Sequence, residues 1–87
     1  MERMYSKNNA FEMRVGSFPL DFAFDGVNVW LTNYYSNEAM KLRRGTAEVL
    51  NVYPTGDYPV GTVFDGASIW VANSGSDTVS KITRTPP

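Results

Sequence analysis

Two stretches of this chain carry the same order of apolar and polar positions. Leu20–Phe24 and Val60–Phe64 are short apolar runs that end in Asp-Gly, and each is followed by a segment, Asn28–Thr32 or Ser68–Ala72, with a Trp between two aliphatic residues. Alternation with a period of two predicts β-strands, and an Asp-Gly step predicts a tight turn between them, because Gly tolerates positive φ. Trp30 and Trp70 then point to one face of their sheets, while Val29/Leu31 and Ile69/Val71 point to the other. Both faces are apolar or small, so both are expected to be covered, as in stacked sheets. The Asn-, Ser-, Gly- and Asp-rich stretches 33–37 and 73–77 read as turns, leading to third strands at Glu38–Arg43 and Thr78–Thr83. A turn around Arg44–Thr46 leads to a fourth strand at Glu48–Tyr53, and Pro54 to Pro59 reads as a loop crossing to the next unit. No helix is predicted, since Gly, Pro, Asn and β-branched residues interrupt every candidate stretch.

The pattern is an internal repeat. Gly16 to Arg44 lies on Gly56 to Arg84 without a gap, and ten of the 29 aligned positions are identical. That is too many for chance in so short a chain. The identities include Phe24/Phe64, Asp25/Asp65, Gly26/Gly66, Trp30/Trp70 and Asn33/Asn73, which are therefore read as structural positions of the unit. Short antiparallel strands in a unit of this length, repeated, predict an all-β chain of two four-stranded β-propeller blades. The division expected is a polar tail at 1–9, a closing strand at 10–15, a first blade at 16–55 and a second at 56–87 without a fourth strand of its own. Residues 10–15 alternate Phe11, Met13 and Val15 against Glu12 and Arg14, and they stand where a fourth strand would stand in the frame of the repeat. Arg84-Thr85-Pro86-Pro87 is not read as a strand, because Pro lacks the ladder donor.

A propeller ring has four to eight blades, so two blades leave a sheet edge and apolar faces uncovered. The expectation is self-association: three chains making a six-bladed ring or, second to that, four making an eight-bladed one. The alternative is that the chain belongs to a longer propeller.

The stretches FPLDFAFDGVNVWLTNYYSNEAMKL and YPVGTVFDGASIWVANSGSDTVSKI share the core P-x(4)-F-D-G-x(3)-W-x(2)-N. On these residues the chain resembles the bacterial YVTN/NHL-like β-propeller repeat family, with similarity to virginiamycin B lyase-like proteins. The resemblance covers Gly16 to Arg84 and implies the propeller fold. Likeness to the lyase implies a catalytic His, and this chain has no His to take that role.

Composition narrows the function further. With eight Lys plus Arg against nine Asp plus Glu, the net charge is −1, and no basic stripe of the kind nucleic-acid binding needs is present. The chain has no Cys and no His, which removes thiolate chemistry, the usual zinc ligands and the commonest general base. No phosphate loop, dinucleotide fingerprint or nucleophile–base set is recognised, and no cofactor is implied. No apolar run resembles a signal peptide or a membrane span, so the chain reads as soluble, with its compartment undetermined.

The repeated Asp-Gly, Trp and Asn positions are read as turn, inter-blade packing and turn satisfaction respectively, ahead of roles as channel carboxylates or ligand contacts. The unrepeated positions are the candidates for recognition. Tyr34-Tyr35 replaces the Ser74-Gly75 of the second unit, and with Asp57 and Tyr58 of the crossing loop it makes up the candidate partner or ligand contact. Arg43-Arg44 is read as a solvated surface pair, with a surface salt bridge or an anion contact as the alternative. These features point to a non-catalytic binding or interaction scaffold. A fragment of a virginiamycin B lyase-like or hydrolase-type propeller enzyme and a lectin-like sugar-binding propeller are the alternatives.

Overall fold

The computed structural model describes residues 3–5 and 10–83 of the chain, with the backbone alone for 3–5 and 11. Nine strands are formed among the described residues: β1 (Arg3–Tyr5), β2 (Phe11–Met13), β3 (Pro19–Phe24), β4 (Asn28–Asn33), β5 (Glu38–Arg43), β6 (Val49–Pro54), β7 (Pro59–Phe64), β8 (Ser68–Asn73) and β9 (Thr78–Thr83). No helix occurs among the described residues. β3-β4-β5-β6 is a four-stranded antiparallel meander and β7-β8-β9 a three-stranded one, while β1 and β2 form a separate antiparallel pair.

The strands begin and end where the local chemistry dictates. Pro19 and Pro59 open β3 and β7, where a missing N–H costs little, and a register shift follows each, between Pro19 and Asp21 and between Pro59 and Gly61. Gly26 and Gly66 take φ of +91° and +101° at the first turn of each unit, a conformation that strains other residues. Glu48 stays outside β6 because its carbonyl accepts the Arg43 N–H at 2.7 Å and holds it in the β5–β6 turn. β6 therefore starts one residue later than its pattern suggests and ends on Pro54.

Cross-strand register sorts the side chains into two faces. In the first sheet Ala23, Trp30 and Lys41 stand in one row and Phe22, Leu31 and Met40 in the next, on the opposite face. In the second, Val63, Trp70 and Lys81 share a row, and Phe64, Ile69 and Ile82 share one on the other face. The Trp30 face of the first sheet packs on the Ile69 face of the second. Trp30, Ala39, Ile69, Val71 and Ile82 form the buried cluster between them, with Ala23, Tyr53 and Phe64 packed at its margin. Ile69 and Val71 are fully buried there, each worth about 1.5–3 kcal/mol relative to exposure. β3 runs beside β7 across this boundary, and the Thr62 N–H donates to Asp21 Oδ2 at 2.8 Å.

A second cluster, Leu31, Met40 and Leu42 with Val15, Val29 and Val49, lies on the outer face of the first sheet. The four- and three-stranded sheets thus stack in one direction, inner face to inner face, and each has one outer face. Val63 and Val79 on the outer face of the second sheet and Phe22 and Phe24 on that of the first are all more than half exposed.

Two expectations need revision. Arg3–Tyr5 lies in the stretch read as a polar tail and is instead a strand, pairing Arg3 with Met13 and Tyr5 with Phe11. The segment 10–15 is a strand only over Phe11–Met13, and within the chain it pairs with β1. Within this chain, among the described residues, β9 pairs with β8 alone. The tail reading of 84–87 lies outside the described residues.

Candidate binding surface

Four aromatic residues converge at one end of the sheets. Tyr34 and Tyr35 lie on the β4–β5 turn, Phe18 just before β3, and Tyr58 just before β7. Backbone hydrogen bonds set this geometry: the Tyr34 N–H donates to the Phe18 carbonyl at 2.9 Å and the Tyr35 N–H to Ser17 at 3.2 Å. The second unit repeats both bonds, Ser74 to Tyr58 at 3.0 Å and Gly75 to Asp57 at 2.9 Å. Phe18 and Tyr58 adopt φ of +60° and +53°, the left-handed region that bulky side chains avoid. Asn37 and Asp77 do the same at +55° and +54°, where a short polar side chain tolerates it. The matching of these angles at equivalent positions of the two units shows that the loop conformation belongs to the unit.

Across the boundary between the sheets, the Tyr58 N–H donates to Asn37 Oδ1 at 2.8 Å and the Thr55 N–H to the Asn37 carbonyl at 3.0 Å. These bonds tie the crossing segment to the first unit's β4–β5 turn and bring Tyr58 over Tyr34. Their rings stack at 5.0 Å and 21°. Phe18 lies 5.6 Å from Tyr34 and 5.2 Å from Tyr35, and Tyr35 meets Tyr58 edge-on at 6.4 Å. Gly75 makes room for Tyr58, since a Cβ there would lie 2.5 Å from the ring's Cδ2. Asp57, beside Tyr58, is exposed and its N–H is held by Ser76 Oγ at 3.1 Å. The proposed contact residues Tyr34, Tyr35, Asp57 and Tyr58 are thus gathered on one rim, with Phe18 as a fourth ring. Phe18 was readable only as the repeat partner of Tyr58. Rings with exposed edges and phenol hydroxyls can stack on the apolar face of a ligand while hydrogen-bonding its polar groups.

The repeated Asp and Trp form a single device. Asp25 Oδ1 accepts the Val27 and Asn28 N–H groups at 2.8 and 2.7 Å, and Oδ2 accepts the Trp30 indole N–H at 2.9 Å. Asp65 does the same with Ala67, Ser68 and Trp70 at 2.8, 2.7 and 2.6 Å. The carboxylates are spent on the turn and the Trp rather than aimed at a channel. In the second unit the Trp70 indole N–H, the Ser68 and Ala67 N–H groups and the Lys81 charge together hold the Asp65 carboxyl down from 3.8 to about 2. The step from Asp to Trp, identical in both units, is the signal by which sequence reading can find this bond.

Asn33 and Asn73 do not satisfy the backbone of the following turn. The Asn33 Nδ2 donates to Glu38 Oε2 at 3.4 Å and the Asn73 Nδ2 to Thr78 Oγ1 and Ser80 Oγ at 3.2 and 2.9 Å. Each links the end of one strand to side chains of the next. Arg43 pairs with Glu48 at 2.9 Å, both exposed, a bond worth at most about 1 kcal/mol. Arg44 lies over Phe24 at 5.8 Å.

Among the described residues no group of three or more His, Cys, Asp or Glu side chains is placed to hold a metal ion, and no helix is long and apolar enough to cross a membrane. No protein-family model and no curated protein matches this chain.

Proposed function

We propose that the two stacked sheets are blades of a β-propeller of the YVTN/NHL-like kind, and that the chain works as a non-catalytic binding scaffold assembled from several copies. The observation that carries the scaffold reading is the rim of Phe18, Tyr34, Tyr35 and Tyr58, where rings from three loops meet across the boundary between the sheets. Repetition supports the blade reading: the Asp–Trp bonds, the positive φ values and the strand limits recur at equivalent positions of the two units. Tyr34 and Tyr35 of the rim stand where the second unit has Ser74 and Gly75, as expected where recognition rather than packing selects the residue. Light scattering on the eluting protein tests the assembly. Masses of three or four chains fit six- and eight-bladed rings, and a single-chain mass at micromolar concentration overturns the assembled form.

A lectin-like function is the second reading, favoured by the exposed rings of Tyr35 and Tyr58 next to the Asp57 carboxylate. Its test is a glycan array probed with the natural chain and with a Tyr35→Ala/Tyr58→Ala variant. Hits that disappear in the variant support it, and an array without hits overturns it.

A further inference from the structure

The boundary inside the chain describes a joint that the outer faces are built to repeat. On the second sheet its buried residues are Ile69, Val71 and Ile82, with Phe64 at the margin. Their equivalents in the first unit are Val29, Leu31, Leu42 and Phe24, which lie on the outer face of the first sheet. On the first sheet the joint uses Ala23, Trp30 and Ala39. Their equivalents in the second unit are Val63, Trp70 and Val79, on the outer face of the second sheet. Each outer face is therefore the apolar counterpart of a face already packed within the molecule. The exposure of both is large: Val63 59%, Val79 66%, Phe22 62% and Phe24 51%.

Resting on the blade reading above, we propose that the Val63/Trp70/Val79 face of one chain docks head-to-tail on the Leu31/Leu42 face of a second copy, in the register of the internal boundary. A heterologous joint of this kind repeats, and it closes into a ring when the rotation per chain divides the circle.

The segment before the first unit fits the same joint. Tyr53 stacks on Trp30 at 5.4 Å, and the residue one repeat before Tyr53 is Met13. Met13 and Val15 already lie on the outer face of the first sheet, where with Pro19, Phe22, Leu31 and Leu42 they line a groove of about 390 Å³. Docking in register brings Met13 of the second copy to Trp70 of the first, a sulfur–aromatic contact in place of the Tyr–Trp stack. One polar bond of the internal joint has an equivalent as well. Asn37 Oδ1 accepts the Tyr58 N–H; the matching pair is the Asp77 carboxylate of one copy and the Phe18 N–H of the other.

The register is testable by cross-linking, because the chain has no Cys of its own. Asp21 and Thr62 face each other across the internal boundary, so Gly61 of one copy faces Phe22 of the next. A Cβ at Gly61 meets nothing within 4 Å, so Gly61→Cys is accommodated. An equimolar mixture of Gly61→Cys and Phe22→Cys, treated with a short bis-maleimide, is expected to give the mixed linked dimer. Either variant alone is expected to give none. The double variant Asp21→Cys/Thr62→Cys is expected to link within one chain. Failure of that internal link overturns the stacked-blade reading itself. An internal link without the mixed dimer overturns the head-to-tail joint alone, as does a self-linked Gly61→Cys dimer, which marks a symmetric contact. Val79→Glu is the second check: Val79 is exposed in the single chain, so folding is untouched, and the mass in solution is expected to fall to one chain. Retention of the higher mass by this variant refutes the joint.

Discussion

Removing the Asp25 carboxylate tests whether the Asp–Trp bond is a structural device. Asp25 is 3% exposed and Trp30 1%, so Asp25→Ala strands the indole N–H in the core between the sheets. A buried donor left without its acceptor costs about 1–3 kcal/mol. The Val27 and Asn28 N–H groups at the half-buried turn lose bonds to the carboxylate at 2.8 and 2.7 Å, worth about 1.5–3 kcal/mol each when dry, most of which water at the turn restores. The expected loss is about 3 kcal/mol. With a urea slope of about 1 kcal/mol/M for a small protein, the midpoint falls by about 3 M. Asp65→Ala is the internal control. It removes the same three kinds of bond, but Asp65 is exposed and Trp70 only half-buried, so water replaces much of what is lost. The assay is urea unfolding followed by tryptophan fluorescence, at one protein concentration so that association does not enter the comparison. Equal losses in the two variants, or a larger loss for Asp65→Ala, refute the argument that burial of the indole N–H sets the cost.

Three further outcomes follow from the geometry. The Asp65 carboxyl is held at about 2 in the folded chain against 3.8 ordinarily, so its bonds favour folding above about pH 4 and that contribution is lost as pH falls from about 4 toward 2; acid titration of Asp65→Asn should show a shallower fall of stability in that window. Gly16→Ala places a Cβ 2.6 Å from the buried Asn33 Nδ2 and 2.7 Å from its Cγ, so thermal unfolding should show a loss of about 1–3 kcal/mol. Ile69→Ala empties a fully buried position between the sheets and should cost about 2–5 kcal/mol, read as a fall in unfolding midpoint of more than about 10 °C.

Much of the fold was legible because alternation and turn residues acted together in each unit. Glu38–Arg43 and Thr78–Thr83 have the limits their pattern predicts, since Asn- and Asp-rich turns bound both. The pairing of Arg3–Tyr5 with Phe11–Met13 was not legible: residues 1–9 show no alternation, and a short strand next to another needs no apolar signature of its own. The rim was legible in part. Tyr34 and Tyr35 stood out because they break the repeat, and Asp57 and Tyr58 lie in the crossing loop, but their proximity depends on Asn37 binding Tyr58 across the sheet boundary, a contact 21 residues apart. The positive φ of Phe18 and Tyr58 contradicts the preferences of aromatic residues, so it is set by the loop bonds around them and is invisible to local propensity. The Asp and Trp positions were read separately, the one as turn and the other as packing. The indole N–H that joins them is a three-dimensional fact.

The bond from Thr62 to Asp21 gives the internal joint a polar clasp. The residue that matches Asp21 in the second unit is Gly61, which has no side chain to accept anything. A ring built by stacking these chains therefore has unequal seams, one clasped within each chain and one held by apolar contact and the Asp77–Phe18 bond between chains. Dilution or mild denaturant should open such a ring at the seams between chains, leaving pairs of sheets intact, and subunits should exchange between rings without either sheet unfolding.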